Sequence, residues 1–357
     1  MSCAPRVATF CERFGLQVPI LLAPMAGVPA PQLSIEVARA GGLGALGAVL
    51  MQPQEILAWT QQVRAASAGR FQLNLWTPDP PPRRDPALEA QLREFLGEWG
   101  PGVSAAAGDA TPPDFASQCE ALLEAAPVAA SSVMGLFPAP YVGRLKDRGI
   151  AWFATVSTVA EAKEAVAAGA DAIVAQGMEA GGHRAAFVAA NAERDLVGLF
   201  ALVPAIADAV NVPVIASGAI ADGRTVAAAI TLGASAVQIG TGFLRCPEAA
   251  IPSSWADAIG RTPPEGTQVS RVFSGRAGRS LATDYVRAAT APGAVSPAPY
   301  PVQRGLTATM RAQAVRENDL GRMQAWAGQS AALASAEPAA RVLARLWTDA
   351  RRLLGVD

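Results

Sequence analysis

Groups that titrate near neutrality are almost missing from this chain: 357 residues contain one histidine, His183, and four cysteines, Cys3, Cys11, Cys119 and Cys246. The cysteines form no C-x-x-C pair and have no histidine at ligand spacing, which argues against structural zinc and for reduced thiols in a cytosolic protein. Net charge is nearly absent too, with 29 Lys+Arg against 30 Asp+Glu, so there is no basic field for nucleic acid and no polybasic stretch for an anionic membrane. No apolar segment is long enough to span a bilayer without charge, Pro or Gly, and the first residues lack the h-region of a secretory signal. A soluble, cytoplasmic protein is therefore expected. Paired carboxylates, carboxylate–histidine spacings and a G-x-S-x-G nucleophile are also missing, which leaves little ground for a metal site or a covalent mechanism.

What is present is a strong βα rhythm. Eight short apolar runs recur at 19–25, 43–48, 71–76, 127–133, 151–157, 171–176, 213–218 and 236–241, the pattern of parallel strands buried on both faces. Helical stretches separate most of them. In the clearest, 159–168, Thr158 is placed to cap the N-terminus and Gly169 to end the run, and the unit recurs at 224–232 before Gly233. Eight such units in about 240 residues fit an α/β fold, a (β/α)8 TIM barrel, with a doubly wound open sheet as the alternative. The match of Gly42–Gly47 to G-x-G-x-x-G is in the wrong context for a dinucleotide, because it follows a helix (32–40) and itself reads as a strand.

Two regions leave the repeat. Residues 77–126 begin with a Pro/Arg-rich stretch and hold helical patterns at 86–97 and 113–125, an excursion suited to shaping a substrate mouth. From about 261 the pattern changes to a Pro/Gly-rich span and two helical stretches, read as an extension packing on the mouth of a barrel formed by 1–260. The second stretch is amphipathic, with Val342, Leu346, Trp347, Ala350 and Leu353 at helical spacing, and Trp326 and Trp347 read as core anchors.

In such a barrel the chemistry sits at the carboxyl ends of the strands. Those ends read Pro24-Met25-Ala26-Gly27, Asn74, Gln176-Gly177, Ser217-Gly218 and Gln238-Ile239-Gly240-Thr241-Gly242. The glycines after the seventh and eighth strands suit a phosphate approaching the backbone, while uncharged amides suit a neutral heterocycle better than a metal. His183 lies among glycines just past the sixth strand, as the one acid–base group for a phosphate-bearing organic cofactor.

These residues resemble the class I nitronate monooxygenases, over almost the whole chain. The resemblance rests on Pro24–Gly27 with Ala40–Gly44, on Ala175–Gly177 leading to Glu179–Arg184, on Gln238–Thr241 and on Trp326–Gln329. It implies a barrel holding FMN and oxidising alkyl nitronates, such as propionate 3-nitronate, with O2 to a carbonyl compound and nitrite. Carried over by position, the cofactor contacts fall on Met25, Asn74, Gln176, Gly181, Gly218, Gln238, Ile239, Gly240 and Thr241, and His183 takes the place of the catalytic base. Arg184 reads either as attracting an anionic substrate or as a solvated structural residue. Val28, Ala185 and Ala219 replace glycines of the family pattern and are expected to narrow the site or alter its loops. Related barrels with a Gly-Gly-His segment are NAD(P)H reductases acting on enoyl-acyl-carrier-protein or quinones, and a flavin-binding protein without turnover is the third alternative. The partners implied are a small nitronate or nitroalkane and O2, without nucleic acid or membrane; a homodimer is compatible with the sequence.

Overall fold

The computed structural model describes residues 4–28 and 30–356, so Cys3 lies outside the described residues. All eight expected runs form strands, Ile20–Leu22, Gly44–Gly47, Phe71–Trp76, Ala129–Val133, Ala151–Val156, Ala172–Gln176, Val214–Ser217 and Ala236–Ile239. They pair in parallel around a barrel: the eighth returns to the first with Leu21 opposite Gln238, and a bridge from Leu21 to Leu43 joins the first to the second. The runs are continuous because both faces of each strand are covered. Outward residues such as Ile173, Ala216 and Val237 pack under the surrounding helices, whereas Leu21, Phe153, Val174 and Ile215 fill the barrel itself. The helix Ala4–Phe14 closes one end by adding Phe10 and Phe14 to that inner cluster, Phe14 meeting Phe153 edge-on at 5.0 Å.

Local chemistry sets the helix ends. Thr158 accepts the Glu161 N–H while the Glu161 carboxylate returns to the Thr158 N–H, a reciprocal cap, and Gly169 ends the helix at φ +99°. The other oxygen of Glu161 accepts from Phe187 N–H, so this cap also pins the chain beyond His183.

The regions outside the repeat meet each other. Leu92 and Leu96, from the excursion helix Pro86–Gly97, share a core with Val272, Phe273, Tyr285, Val302 and Met310 from the C-terminal third. Arg276, 2% exposed, pairs with Asp79 across the same junction, a geometry in which each charge offsets the other's loss of water. The last helix, Ala339–Leu354, packs Val342, Leu343, Leu346 and Ala350 into the main core, and Gly223 approaches Asp349 so closely that a Cβ would collide with it.

Candidate active site

A cleft of about 750 Å3 opens where the strands end, within the roughly 300–1,000 Å3 of small-molecule and cofactor sites. Met25, Asn74, Gln176, Gly181, His183, Gly218, Gln238, Gly240 and Thr241 all line it. Ile239 does not. Its side chain is 1% exposed and belongs to the core between barrel and helices, because strand alternation turns it away from Gln238.

His183 is held from several sides. It forms with Gly182 a short strand that pairs antiparallel with Gly278–Leu281, itself one arm of a hairpin with Thr267–Ser270. The turn of that hairpin carries Ser274, whose Oγ lies 2.7 Å from His183 Nε2. The imidazole sits edge-on to Trp76 at 4.6 Å and to Trp326 at 4.8 Å. Burial, followed by the guanidiniums of Arg304, Arg276 and Arg311, pushes its pKa down to about 3, so the ring is neutral at physiological pH.

Gln176 is a brace for this histidine. Its Nε2 donates to the His183 carbonyl at 2.9 Å and its Oε1 accepts from Ala185 N–H at 2.9 Å. Arg184 is neither solvated nor at the cleft: it is 1% exposed and donates to the carbonyls of Gly177 and Gln176, correcting both sequence readings of it. Gly181 reaches the cleft, but its missing side chain serves packing. A Cβ there would stand 2.6 Å from Gly328 N and 2.7 Å from Ala327 C, and one on Gly328 would stand 2.7 Å from the Glu179 carbonyl. The two segments can approach only as glycine against glycine. That approach brings Trp326 onto His183, so Trp326 is a wall of the site, whereas Trp347 packs against the core as expected.

On the barrel side Gln72, fully buried, donates from Nε2 to Gln238 Oε1 at 2.9 Å and to the Leu22 carbonyl at 3.1 Å. This orients Gln238 so that its own Nε2 is left without a protein acceptor among the described residues. Asn74 Nδ2 donates to Ser131, leaving its Oδ1 as an acceptor. After the seventh and eighth strands, the N–H groups of Gly218, Ala219, Gly240 and Thr241 make no hydrogen bond among the described residues. Gly218 holds φ +108°, and a Cβ on Gly240 would come to 3.3 Å from Ala23. Uncommitted N–H groups around small residues can receive a phosphate, and the free amide edges of Asn74 and Gln238 can meet a heteroaromatic ring. Of the three residues standing for family glycines, Val28 and Ala219 line the cleft and Ala185 is buried away from it; Ala219 adopts φ +54°, the conformation a glycine would take without strain.

Sequence reasoning missed Gln72, Trp76, Ser274, Tyr300, Arg304 and Arg311. Trp76 closes the third strand and could have been added to the strand-end set. The others come from a strand interior, from loops, or from the helices Val302–Leu306 and Ala308–Arg316, where the sequence does not mark which distant element each side chain meets.

The family model described as Nitronate monooxygenase matches residues 9–349. The nitronate monooxygenase of Paraburkholderia phytofirmans is 36% identical, covering 93% of this chain and 92% of its own. That of Pseudomonas aeruginosa is also 36% identical, over 96% and 99%. Among solved structures, nitroalkane oxidase from Streptomyces ansochromogenes superposes with a TM-score of 0.86 at 31% identity, covering 96% of this chain and 98% of that one. FabK from Thermotoga maritima gives 0.75 at 26%, covering 97% of each.

Proposed function

The chain belongs to the nitronate monooxygenase family, and from that premise we propose that it is an FMN-dependent enzyme in which His183 is the catalytic base, converting alkyl nitronates and O2 to a carbonyl compound and nitrite. The observation that carries this reading is a single neutral imidazole, braced by Ser274, Trp76 and Trp326, facing a cleft whose other wall offers uncommitted backbone N–H groups and two free amide edges.

FMN fits that wall. Its phosphate would be met by the N–H groups of Gly218, Ala219, Gly240 and Thr241, and its ring by Asn74, Gln238 and Met25. Bound there, FMN supplies a two-electron acceptor and a path for electrons to O2.

The protein's own part is proton transfer and placement. Ser274 Oγ has one proton and two acceptors in reach, His183 Nε2 at 2.7 Å and the Arg276 carbonyl at 3.2 Å. For His183 to act as a base toward the cleft, Nε2 must carry its proton and donate to Ser274 Oγ, which passes its own hydrogen bond to Arg276. Nδ1 then holds the free lone pair that takes the α-proton of a neutral nitroalkane. A nitronate arrives without that proton and needs only to be held in the cleft beside His183.

His183→Asn, with FMN retained, is expected to lose about 10²- to 10⁴-fold in kcat/KM on nitroethane and far less on ethyl nitronate, read as nitrite release with O2 uptake. Equal losses on the two substrates would remove the base role. Rapid anaerobic bleaching of the flavin by NADH or NADPH, without nitrite from any nitronate, would favour the NAD(P)H reductase alternative.

A further inference from the structure

We propose that Asp79 is a positioning residue for His183: through its ion pair with Arg276 it fixes the backbone geometry in which Ser274 accepts a proton from Nε2 and leaves Nδ1 free toward the cleft. The inference rests on the reading of His183 as the base and names what holds that base in its working tautomer.

Neither Asp79 nor Arg276 lines the cleft, whereas Ser274, Trp76 and His183 do. Asp79 follows the strand Phe71–Trp76 by three residues. The Thr77 N–H donates to the Val133 carbonyl at 3.1 Å, which carries the strand pairing one residue past the rim, and the ring of Pro78 fixes φ just before Asp79. One short segment thus supplies the Trp76 ring, 4.6 Å from His183, and a carboxylate aimed at Arg276. All three guanidinium nitrogens of Arg276 are engaged: Nε donates to Asp79 Oδ2 at 2.8 Å, Nη2 to Asp79 Oδ1, and Nη1 to the Ala186 carbonyl at 3.1 Å. The Arg276 side chain is 2% exposed and that of Asp79 is 24% exposed, so the buried cation depends on this carboxylate in place of water. Ala186 lies three residues past His183, and the same guanidinium therefore also ties down the chain beyond the base.

The backbone of Arg276 in turn decides what Ser274 can do. Ser274 Oγ stands 2.7 Å from His183 Nε2, receives the Arg276 N–H at 3.3 Å and reaches the Arg276 carbonyl at 3.2 Å. A hydroxyl has one proton to donate and two lone pairs with which to accept. The Arg276 N–H takes one lone pair and the Arg276 carbonyl takes the proton, which leaves the second lone pair for a proton on Nε2. In the other tautomer Oγ turns its proton to Nε2, and the Arg276 carbonyl loses it. Gly275 wedges the turn from the opposite flank, at φ +86° and so close to the backbone of Pro299 and Tyr300 that a Cβ would collide with both. With the carboxylate removed, the Arg276 side chain leaves a place it holds as half of an ion pair, its backbone shifts with it, and Ser274 no longer distinguishes the tautomers.

His183 is the only histidine of the chain, so isotopic labelling of histidine nitrogens in the holoenzyme reports this one ring by NMR, and the couplings to the ring C–H protons tell Nε2–H from Nδ1–H. Wild type should show the Nε2–H tautomer alone. Asp79→Asn, which sets an amide N–H against a guanidinium N–H, should show a mixture, and Asp79→Glu should restore much of the single tautomer. In turnover, the ratio of kcat/KM on nitroethane to that on ethyl nitronate should fall roughly 3- to 10-fold in Asp79→Asn, through kcat. It should fall no further when Ser274→Ala is added, because both substitutions act on one hydrogen bond. Since a lone buried cation can prevent folding, the paired exchange of Asp79→Leu with Arg276→Met removes both charges at once, a replacement that buried ion pairs tolerate, and should give the same mixture and the same fall. A single unchanged tautomer in Asp79→Asn or in the paired exchange overturns the proposal. A loss that multiplies with that of Ser274→Ala, or equal losses on the two substrates, overturns it as well. If the tautomer shifts in Asp79→Asn while wild type releases no nitrite from either substrate, the nitronate reading fails and the positioning role of Asp79 stands.

Discussion

Replacing Ser274 by alanine separates two ways in which the fold controls His183, through its tautomer and through its position. The substitution removes the only side-chain partner of Nε2 among the described residues, at 2.7 Å, and leaves both tryptophan contacts, at 4.6 Å and 4.8 Å, in place. A neutral hydrogen bond of this kind contributes about 0.5–1.5 kcal/mol, or roughly 2- to 12-fold in rate. Holding the ring by packing is the larger effect, since a general base as a whole contributes about 10²- to 10⁴-fold. Ser274→Ala is thus expected to lower kcat/KM on nitroethane by roughly 3- to 10-fold and to leave ethyl nitronate nearly unaffected, because no proton is removed from it. The assay is nitrite release at saturating O2 from freshly dissolved nitroethane and from pre-ionised nitronate, with FMN content measured in each preparation. A loss beyond about 10²-fold on nitroethane would mean that Ser274 is part of the proton path. Equal losses on both substrates would mean that it positions the ring for a step common to them, and either result refutes this division of labour.

Two further outcomes follow from the same geometry. Burial and the neighbouring guanidiniums push His183 down to about 3 from the ordinary 6.5 of a histidine, so its neutral, proton-accepting form persists as pH falls through the range in which an ordinary histidine titrates. The kcat/KM profile on nitroethane should then show no inflection near pH 6–7 assignable to His183. Since the unfolded chain takes up this proton near 6.5 and the folded chain refuses it until about 3, folding stability should decline as pH drops across that interval. An acid limb near 6.5 that vanishes in His183→Asn would contradict the burial argument. Gly181→Ala places a Cβ 2.6 Å from Gly328 N and 2.7 Å from Ala327 C, backbone atoms that cannot swing aside, at an overpacking cost of about 1–3 kcal/mol. It should lower Tm and alter the near-ultraviolet dichroism of Trp326. Unchanged melting and full activity would show that the two segments are not in contact as described.

The sequence by itself determined the barrel, because hydrophobic runs at strand length, capping residues and terminal glycines are local signals, and each acts over a few residues. It determined the strand-end residues for the same reason: Asn74, Gln176 and Gly240, at or near the carboxyl ends of their strands, lie at the rim whatever packs above them. It also singled out His183 by scarcity. What each of these residues does was decided by contacts over long sequence separations. Gln176 faces the cleft yet braces the histidine backbone, Gly181 serves Gly328, and Arg184 is buried on carbonyls, because the segment from 264 to 330 folds back over the mouth and meets them. Ser274, Arg304 and Arg311 lie in that segment, in a turn and on two helices whose local pattern does not say what they will face. Their convergence on His183 is set by one hairpin pairing with a two-residue strand and by the apolar junction with the excursion helix. Hydrophobic pattern specifies which face of an element is buried, but not which distant side chain it will be buried against, and at this site that second choice places the charges.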